Sequence, residues 1–288
     1  MSGLVAFLIA AGALGALIGT MRAHNLSRAN AATAARPERA VGADGIIIGA
    51  EPLHLQGTSD RGVLIFHGFN DTPQSVSFLA HVLHARGWSV SVPLLPGHGR
   101  SGKEMARHGN AAEWIAFAQS EWSSFRTRVP RAVLGGQSMG GALATILANE
   151  NPPVALVLLA PYLAMRRGMR VLASAWPLWQ LVMPELLSNS QQSLGDPVAR
   201  SKSLGSGRFT PRLVSEVKKV VVLAHGKLSQ VHVPALVLHS RSDYRISSRS
   251  ALHAFEDLGS TDKTLTWRDG SGHVLAADAG RDEVSALV

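Results

Sequence analysis

The chain has 288 residues, of which 46% are hydrophobic and 17% charged. That length accommodates one α/β domain with an insertion and does not require two full domains. Cysteine is absent, which excludes a disulfide framework, a thiolate nucleophile and a cysteine metal site. The net charge is +8, carried mostly by arginine, but no basic block with interleaved aromatics is present, so no nucleic-acid partner is expected.

The N-terminus is a separate object. No charged side chain occurs from Ser2 to Met21, and Leu4 to Ile18 is strongly apolar. About 20 helical residues cross a bilayer core of roughly 30 Å. A cleaved signal peptide normally carries basic residues before its apolar run. Here the basic residues Arg22, Arg28, Arg36 and Arg39 follow it. Residues 1–21 are therefore read as a membrane anchor, with export after cleavage as the alternative. The positive flank puts the following chain on the cytoplasmic side. Residues 22–44 are rich in Ala, Arg and Asn and are read as a linker.

A globular domain is expected over 45–288. It opens with Ile46-Ile47-Ile48 and Leu53-His54-Leu55, a candidate hairpin. Val63 to Phe66 reads as a buried strand, Val76 to Arg86 as a helix, and Val90 to Val92 as a strand. Ala112 to Arg126 is a helix, followed by the strand Ala132-Val133-Leu134 and a helix from Ala142 to Ala148. Three further strands follow, over Val154 to Ala160, Ala235 to His239 and Thr264 to Trp267. Alternation at this spacing predicts a doubly wound, mostly parallel sheet. About 70 residues separate Ala160 from Ala235, too long for an ordinary connection. Helical pieces at Met169 to Leu181 and Pro211 to Ala224 predict a helical cap over about 161–232.

The chemistry concentrates at the carboxyl ends of these strands, where ligands bind in such sheets. Gly136-Gln137-Ser138-Met139-Gly140 fits G-x-S-x-G between a strand and a helix. A serine on that tight turn stands clear of the sheet, which makes Ser138 the candidate nucleophile. Of 12 histidines, His273 follows the last strand in Asp269-Gly270-Ser271-Gly272-His273, where a loop can deliver imidazole to the serine. It is the candidate base. Asp243, after the strand ending at His239, is the candidate acid that fixes the tautomer. Asp269 is too close in sequence to His273 to reach its ring. The order Ser138, Asp243, His273 follows the chain order of one known triad arrangement. Acyl transfer also needs N–H donors for a developing oxyanion. The amides of Phe69, in His67-Gly68-Phe69-Asn70, and of Met139 are the candidates. His67 is read as a brace for that loop.

Residues from about 62 to 284 resemble the bacterial carboxylesterase and monoacylglycerol lipase branch of the α/β-hydrolases. The likeness rests on four stretches. They are His67-Gly68-Phe69 with Thr72-Pro73-Gln74-Ser75, Pro93-Leu94-Leu95-Pro96-Gly97-His98-Gly99, Gly136-Gln137-Ser138-Met139-Gly140-Gly141, and Ser271-Gly272-His273-Val274. The resemblance implies the α/β-hydrolase fold, the triad and amides named above, and hydrolysis of medium and long acyl esters without a cofactor or metal. The apolar N-terminus departs from the soluble members, as does Tyr244-Arg245-Ile246, which lacks an apolar-turn pattern. The expected function is a serine hydrolase of carboxylic esters, acylglycerols or similar lipid-like molecules, acting on a small-molecule ester at a membrane. The alternatives are cleavage of an amide, thioester or carbon–carbon bond on the same fold, or a non-catalytic membrane-tethered binding protein.

Overall fold

The structure, a computed structural model, describes residues 3–36, 38–188 and 193–288. Met1 and Ser2 of the expected anchor, Pro37 of the expected linker and 189–192 of the expected cap lie outside the described residues.

The first helix, α1 (Gly3–Ala34), continues well past Met21. Residues 22–34 are thus helical where an irregular linker was expected. The reason is composition: Ala29, Ala31, Ala32 and Ala34 are strong helix formers, and Ala29 is buried. The expected hairpin does not form. Ile47 is buried and its amide donates to Gly99 O at 2.8 Å. Its bridge partner is Val41. Strand β1 (Leu53–Leu55) instead pairs antiparallel with β3.

The chain then winds through β2 (Arg61–Phe66), α2 (Ser77–Ala85), β3 (Ser89–Val92), α3 (Gly102–His108) and α4 (Ala111–Arg128). It continues with β4 (Arg131–Gln137), α5 (Met139–Glu150) and β5 (Leu156–Leu159). The insertion holds α6 (Arg167–Ser174), α7 (Trp176–Trp179), β6 (Leu186–Leu187), α8 (Pro197–Lys202), β7 (Arg208–Phe209) and α9 (Pro211–Lys227). The chain closes with β8 (Ala235–Ser240), α10 (Ser248–Glu256), β9 (Lys263–Arg268) and α11 (Arg281–Leu287).

Among the described residues, seven strands form one sheet in the order β1-β3-β2-β4-β5-β8-β9. Only β1 runs antiparallel to its neighbour; the other pairs are parallel. Strands buried on both faces need apolar residues on both, and β2, β4 and β5 have them. One face packs on Trp114, Trp122, Leu143 and Ile146 of α4 and α5. The other packs on Val76, Leu79 and Leu83 at α2 and on Val284 of α11.

The insertion is only partly a cap. Helix α9 buries Leu213, Val217, Val220 and Val221 in the same core as α4 and α5, so its inner face completes the main domain. The helix expected from Met169 to Leu181 is broken at Ala175, because Pro177 sits in the first turn of α7 and has no N–H to continue the ladder. The parallel strand order puts the carboxyl ends of β2, β4, β8 and β9 on one rim, where the loops that follow share a cavity with α6, α7 and the antiparallel β6–β7 pair.

Candidate active site

Ser138 lies between β4 and α5 with φ 55° and ψ −117°. This is the left-handed side of backbone space, which an L-residue enters only when its surroundings enforce it. Two glycines enforce it here. A Cβ on Gly136 would overlap the backbone of Gly140, and one on Gly140 would overlap the carbonyl of Phe66. The turn is also tied from both sides. The Ser138 amide donates to Leu159 O at 3.0 Å, and its carbonyl accepts from Tyr162 N at 3.0 Å. The side chain is half-buried and opens into a cavity of about 880 Å³.

His273 and Asp243 meet from two different loops. His273 Nδ1 lies 2.7 Å from Asp243 Oδ2. A carboxylate only accepts, so Nδ1 carries the proton and Nε2 is left as an acceptor. His273 lines the same cavity as Ser138. Asp243 is itself held by its own turn. Its Oδ1 accepts from Arg245 N at 2.7 Å and Ile246 N at 3.0 Å. Burial pushes its carboxyl up, but the bond and charge of His273 and the two amides outweigh that and hold it below the usual value. Tyr244-Arg245-Ile246 thus needs no apolar turn pattern, because its amides do the work. Asp269 is elsewhere, paired at 2.9 Å with the exposed Arg241.

The loop after β2 approaches the serine closely. A Cβ on Gly68 would stand 3.4 Å from Ser138 Cβ. Phe69 and Met139 both line the cavity beside Ser138. Met139 opens α5, so its amide has no carbonyl four residues back in the helix to bind. The helix N-terminus adds a partial positive charge at the same place. His67 is fully buried and acts as a brace. Its Nδ1 donates to Gly68 O at 2.9 Å and its Nε2 accepts from Leu95 N at 3.1 Å. Burial, then the neighbouring His98, drives its pKa well down, so it stays neutral. Burial likewise lowers His98 to about 4. The rings of His67, His98, Phe69 and Trp114 pack edge to face or tilted at centroid distances from 5.1 to 6.1 Å.

Several supporting residues carry no motif signature. Gln137 Nε2 donates to His273 O at 2.8 Å in the core. Ser240 Oγ donates to Ser271 O. Asp278 accepts from the amides of Gly195, Asp196, Gly272 and Ala279. It therefore ties the His273 loop to the middle of the insertion, just before α8. Burial pushes its carboxyl up, but those four amides outweigh burial and hold it low. His239 is buried, donates from Nε2 to Ile246 O at 3.1 Å and sits 3.6 Å from Asp243 Oδ2. The most visible departure is Asp71, which lines the cavity. Burial pushes its carboxyl up to about 6, against Thr72 N–H, the Ser75 hydroxyl and the charge of His273. The G-x-S-x-G and H-G-F patterns do not point to these residues, because what each of them holds lies outside the pattern.

Residues 57–280 match the family described as serine aminopeptidase S33. The chain belongs to this family of α/β-hydrolases. It is 27% identical over 233 residues to a thermostable monoacylglycerol lipase of Bacillus sp. (strain H-257), covering 81% of this chain and 90% of that protein. It is 24% identical over 246 residues to a carboxylesterase of Bacillus subtilis (strain 168), covering 83% and 94%. Among solved structures it is similar to one from work on LipS and LipT, two metagenome-derived lipolytic enzymes. That match has 28% identity and a TM-score of 0.77, over 84% of this chain and 96% of that one. The family match leaves α1 and the residues up to 56 outside it.

Proposed function

We propose that this α/β-hydrolase cleaves carboxylic esters with lipid-like acyl chains through an acyl-enzyme on Ser138. The observation that carries the reading is the His273–Asp243 pair at 2.7 Å in the cavity that also holds the strained Ser138. The relatives support ester hydrolysis in general, being a monoacylglycerol lipase and a carboxylesterase. The lipid-like acyl group rests on the cavity wall. Met169, Leu172, Trp179, Val182, Leu186 and Phe209 present a long apolar surface beyond the serine, and apolar walls with few polar groups take apolar ligands.

In this mechanism His273 Nε2 takes the Ser138 proton as Oγ attacks the ester carbonyl. Asp243 holds the ring and stabilises the imidazolium. The amides of Phe69 and Met139 receive the oxyanion. His273 then protonates the leaving alcohol, and water, activated by the same ring, releases the acid. The helix α1 is read as an anchor: its apolar window has a mean hydropathy of 2.2 and none of it is buried. The basic flank that follows supports a cytoplasmic side for the catalytic domain.

A fluorophosphonate probe tests the chemistry. It should label the wild-type chain and not Ser138→Ala. A panel of esters differing in acyl length, with an aminoacyl amide alongside, tests the bond and the chain. Faster turnover of the amide than of every ester would overturn the ester reading.

A further inference from the structure

The arm that follows the apolar run is not free of the catalytic domain. Arg22 Nη1 donates to Gln180 O at 3.0 Å and Leu181 O at 3.4 Å. Asn25 Nδ2 donates to Val182 O at 3.0 Å. Further along, the Arg39 guanidinium donates to the carbonyls of Ser203, Leu204 and Gly205 at 2.7 to 2.8 Å. All these acceptors belong to the insertion over the active site.

The register of these contacts has a geometric meaning. From Leu4 to Met21 the helix is uncharged, and 18 residues at 1.5 Å each span about 27 Å, close to a bilayer core of roughly 30 Å. Arg22 is the first charge after that span, so its guanidinium belongs at the headgroup level. Its two acceptors are carbonyls of the segment after α7. That segment is therefore held at the same level.

The segment is built for such a position. Trp179 and Val182 face the cavity. Leu178 and Leu181, interleaved with them, are 72% and 51% exposed. The neighbouring α6 is tied in by Trp179 Nε1, which donates to Leu172 O at 2.9 Å. On α6, Val171 and Leu172 are exposed beside Arg167 and Arg170. Exposed apolar side chains next to arginines suit an interface of acyl chains and anionic headgroups.

We propose that the 178–183 segment and α6 form a membrane-docking face. Arg22 and Asn25 hold it at the lipid boundary, so that the ester substrate enters the cavity from the bilayer rather than through water. This rests on the reading of α1 as an uncleaved anchor. It goes beyond that reading by naming the surface, the partner and the entry route.

The chain has no cysteine, so single labels are clean. Leu178→Cys and Leu181→Cys, each carrying an NBD fluorophore, are compared with Thr261→Cys, an exposed position before β9 at the opposite end of the sheet. Full chains go into vesicles of phosphatidylcholine and phosphatidylglycerol containing lipid with a nitroxide high on the acyl chain. Quenching at 178 and 181 should exceed that at 261 by about threefold or more. In the same vesicles, Leu178→Asp with Leu181→Asp should slow hydrolysis of a long-chain ester in the bilayer by about tenfold. Hydrolysis of a water-soluble short ester should stay within about twofold, since neither residue lines the cavity. Equal quenching at all three positions, in a chain that resists alkaline carbonate extraction, overturns the docking face and leaves the anchor standing. A chain extracted by carbonate overturns both.

Discussion

Replacing Asp243 by Asn changes one atom type at the centre of the proposed triad. The amide oxygen can keep accepting from Arg245 N and Ile246 N, which now bond Asp243 Oδ1 at 2.7 and 3.0 Å. The amide nitrogen then occupies the place of Oδ2, 2.7 Å from His273 Nδ1. A donor there forces Nδ1 to become the acceptor and moves the ring proton to Nε2. The histidine then faces Ser138 with a proton it cannot use to accept another. A wrong tautomer of this kind costs about 10⁴ in kcat, or about 5 kcal/mol of transition-state stabilisation at 1.36 kcal/mol per decade.

The stability cost is much smaller. Two amide bonds survive, and the loss is one charge-assisted bond, about 1–3 kcal/mol. The assay is kcat/KM on a short chromogenic ester, with urea unfolding to show that the variant is folded. The control is Asp269→Asn. Its partner Arg241 is 2.9 Å away, but the two side chains are 55% and 74% exposed, and an exposed pair is worth about 0–1 kcal/mol. It should keep full activity. If folded Asp243→Asn kept more than about a tenth of wild-type turnover, or if Asp269→Asn were the damaging change, the assignment of the acid would be refuted.

Ser138→Ala should remove all but a residual rate, leaving roughly 10³–10⁴ over water from the oxyanion amides and binding; single-turnover kinetics should show no acyl-enzyme burst. Asp278→Ala leaves four amides without their carboxylate and should lower unfolding free energy by about 3 kcal/mol or more, read by urea titration. Because that carboxyl is held below its usual value, its contribution is complete above the unfolded value of about 4 and is lost as pH falls through the folded one. Asp71 has the opposite sign: its carboxyl is raised to about 6, so ionising it costs stability above that pH and nothing below about 4. Asp71→Asn should therefore stabilise the chain by about 1–2 kcal/mol at pH 8 and leave it unchanged at pH 4. A chain shortened to begin at Asp44 should leave the membrane yet still hydrolyse a water-soluble ester, since no proposed catalytic residue precedes Phe69.

The parts legible in the sequence are those in which local chemistry and tertiary role coincide. The buried strands β2, β4 and β5 read as apolar runs because both faces are covered. The tight turn at Ser138 is legible because it needs glycine on both sides, a constraint written within five residues. Residues 22–34 do not read as a helix because they have no amphipathic period; their helix is stabilised by alanine content and by Arg22 and Asn25, which bond to the carbonyls of Gln180 and Val182. The hairpin was misread because two apolar triplets close in sequence look like paired strands. Here one edge-pairs with β3 and the other packs under the Gly97–Gly99 loop. The expected cap over about 161–232 ends in a helix, α9, whose inner face packs into the core. Nothing local in Pro211 to Ala224 distinguishes a helix over the cavity from one whose inner face closes the core.

The residues that hold the site in register divide by what fixes them. Ser138 is positioned by backbone: glycines at 136 and 140, and carbonyl and amide bonds to Leu159 and Tyr162. His273 is positioned by four side chains from three segments: Gln137 on its carbonyl, Ser240 on Ser271 and Asp243 on its ring from the end of β8 and the turn after it, and Asp278 on Gly272. In the proposed mechanism the ring serves both the serine and the leaving group, and a loop held at several points keeps it beside Asp243. One of those points, Asp278, also grips Gly195 and Asp196 of the insertion. The insertion in turn is gripped by Arg22, Asn25 and Arg39. Hydrogen bonds thus tie the arm after the proposed anchor to the insertion, and the insertion to the loop that carries His273. If that chain of contacts transmits cap position to the base, Asp278→Asn should lower kcat on bilayer esters more than on soluble ones. Equal losses on both would show that Asp278 stabilises the loop alone.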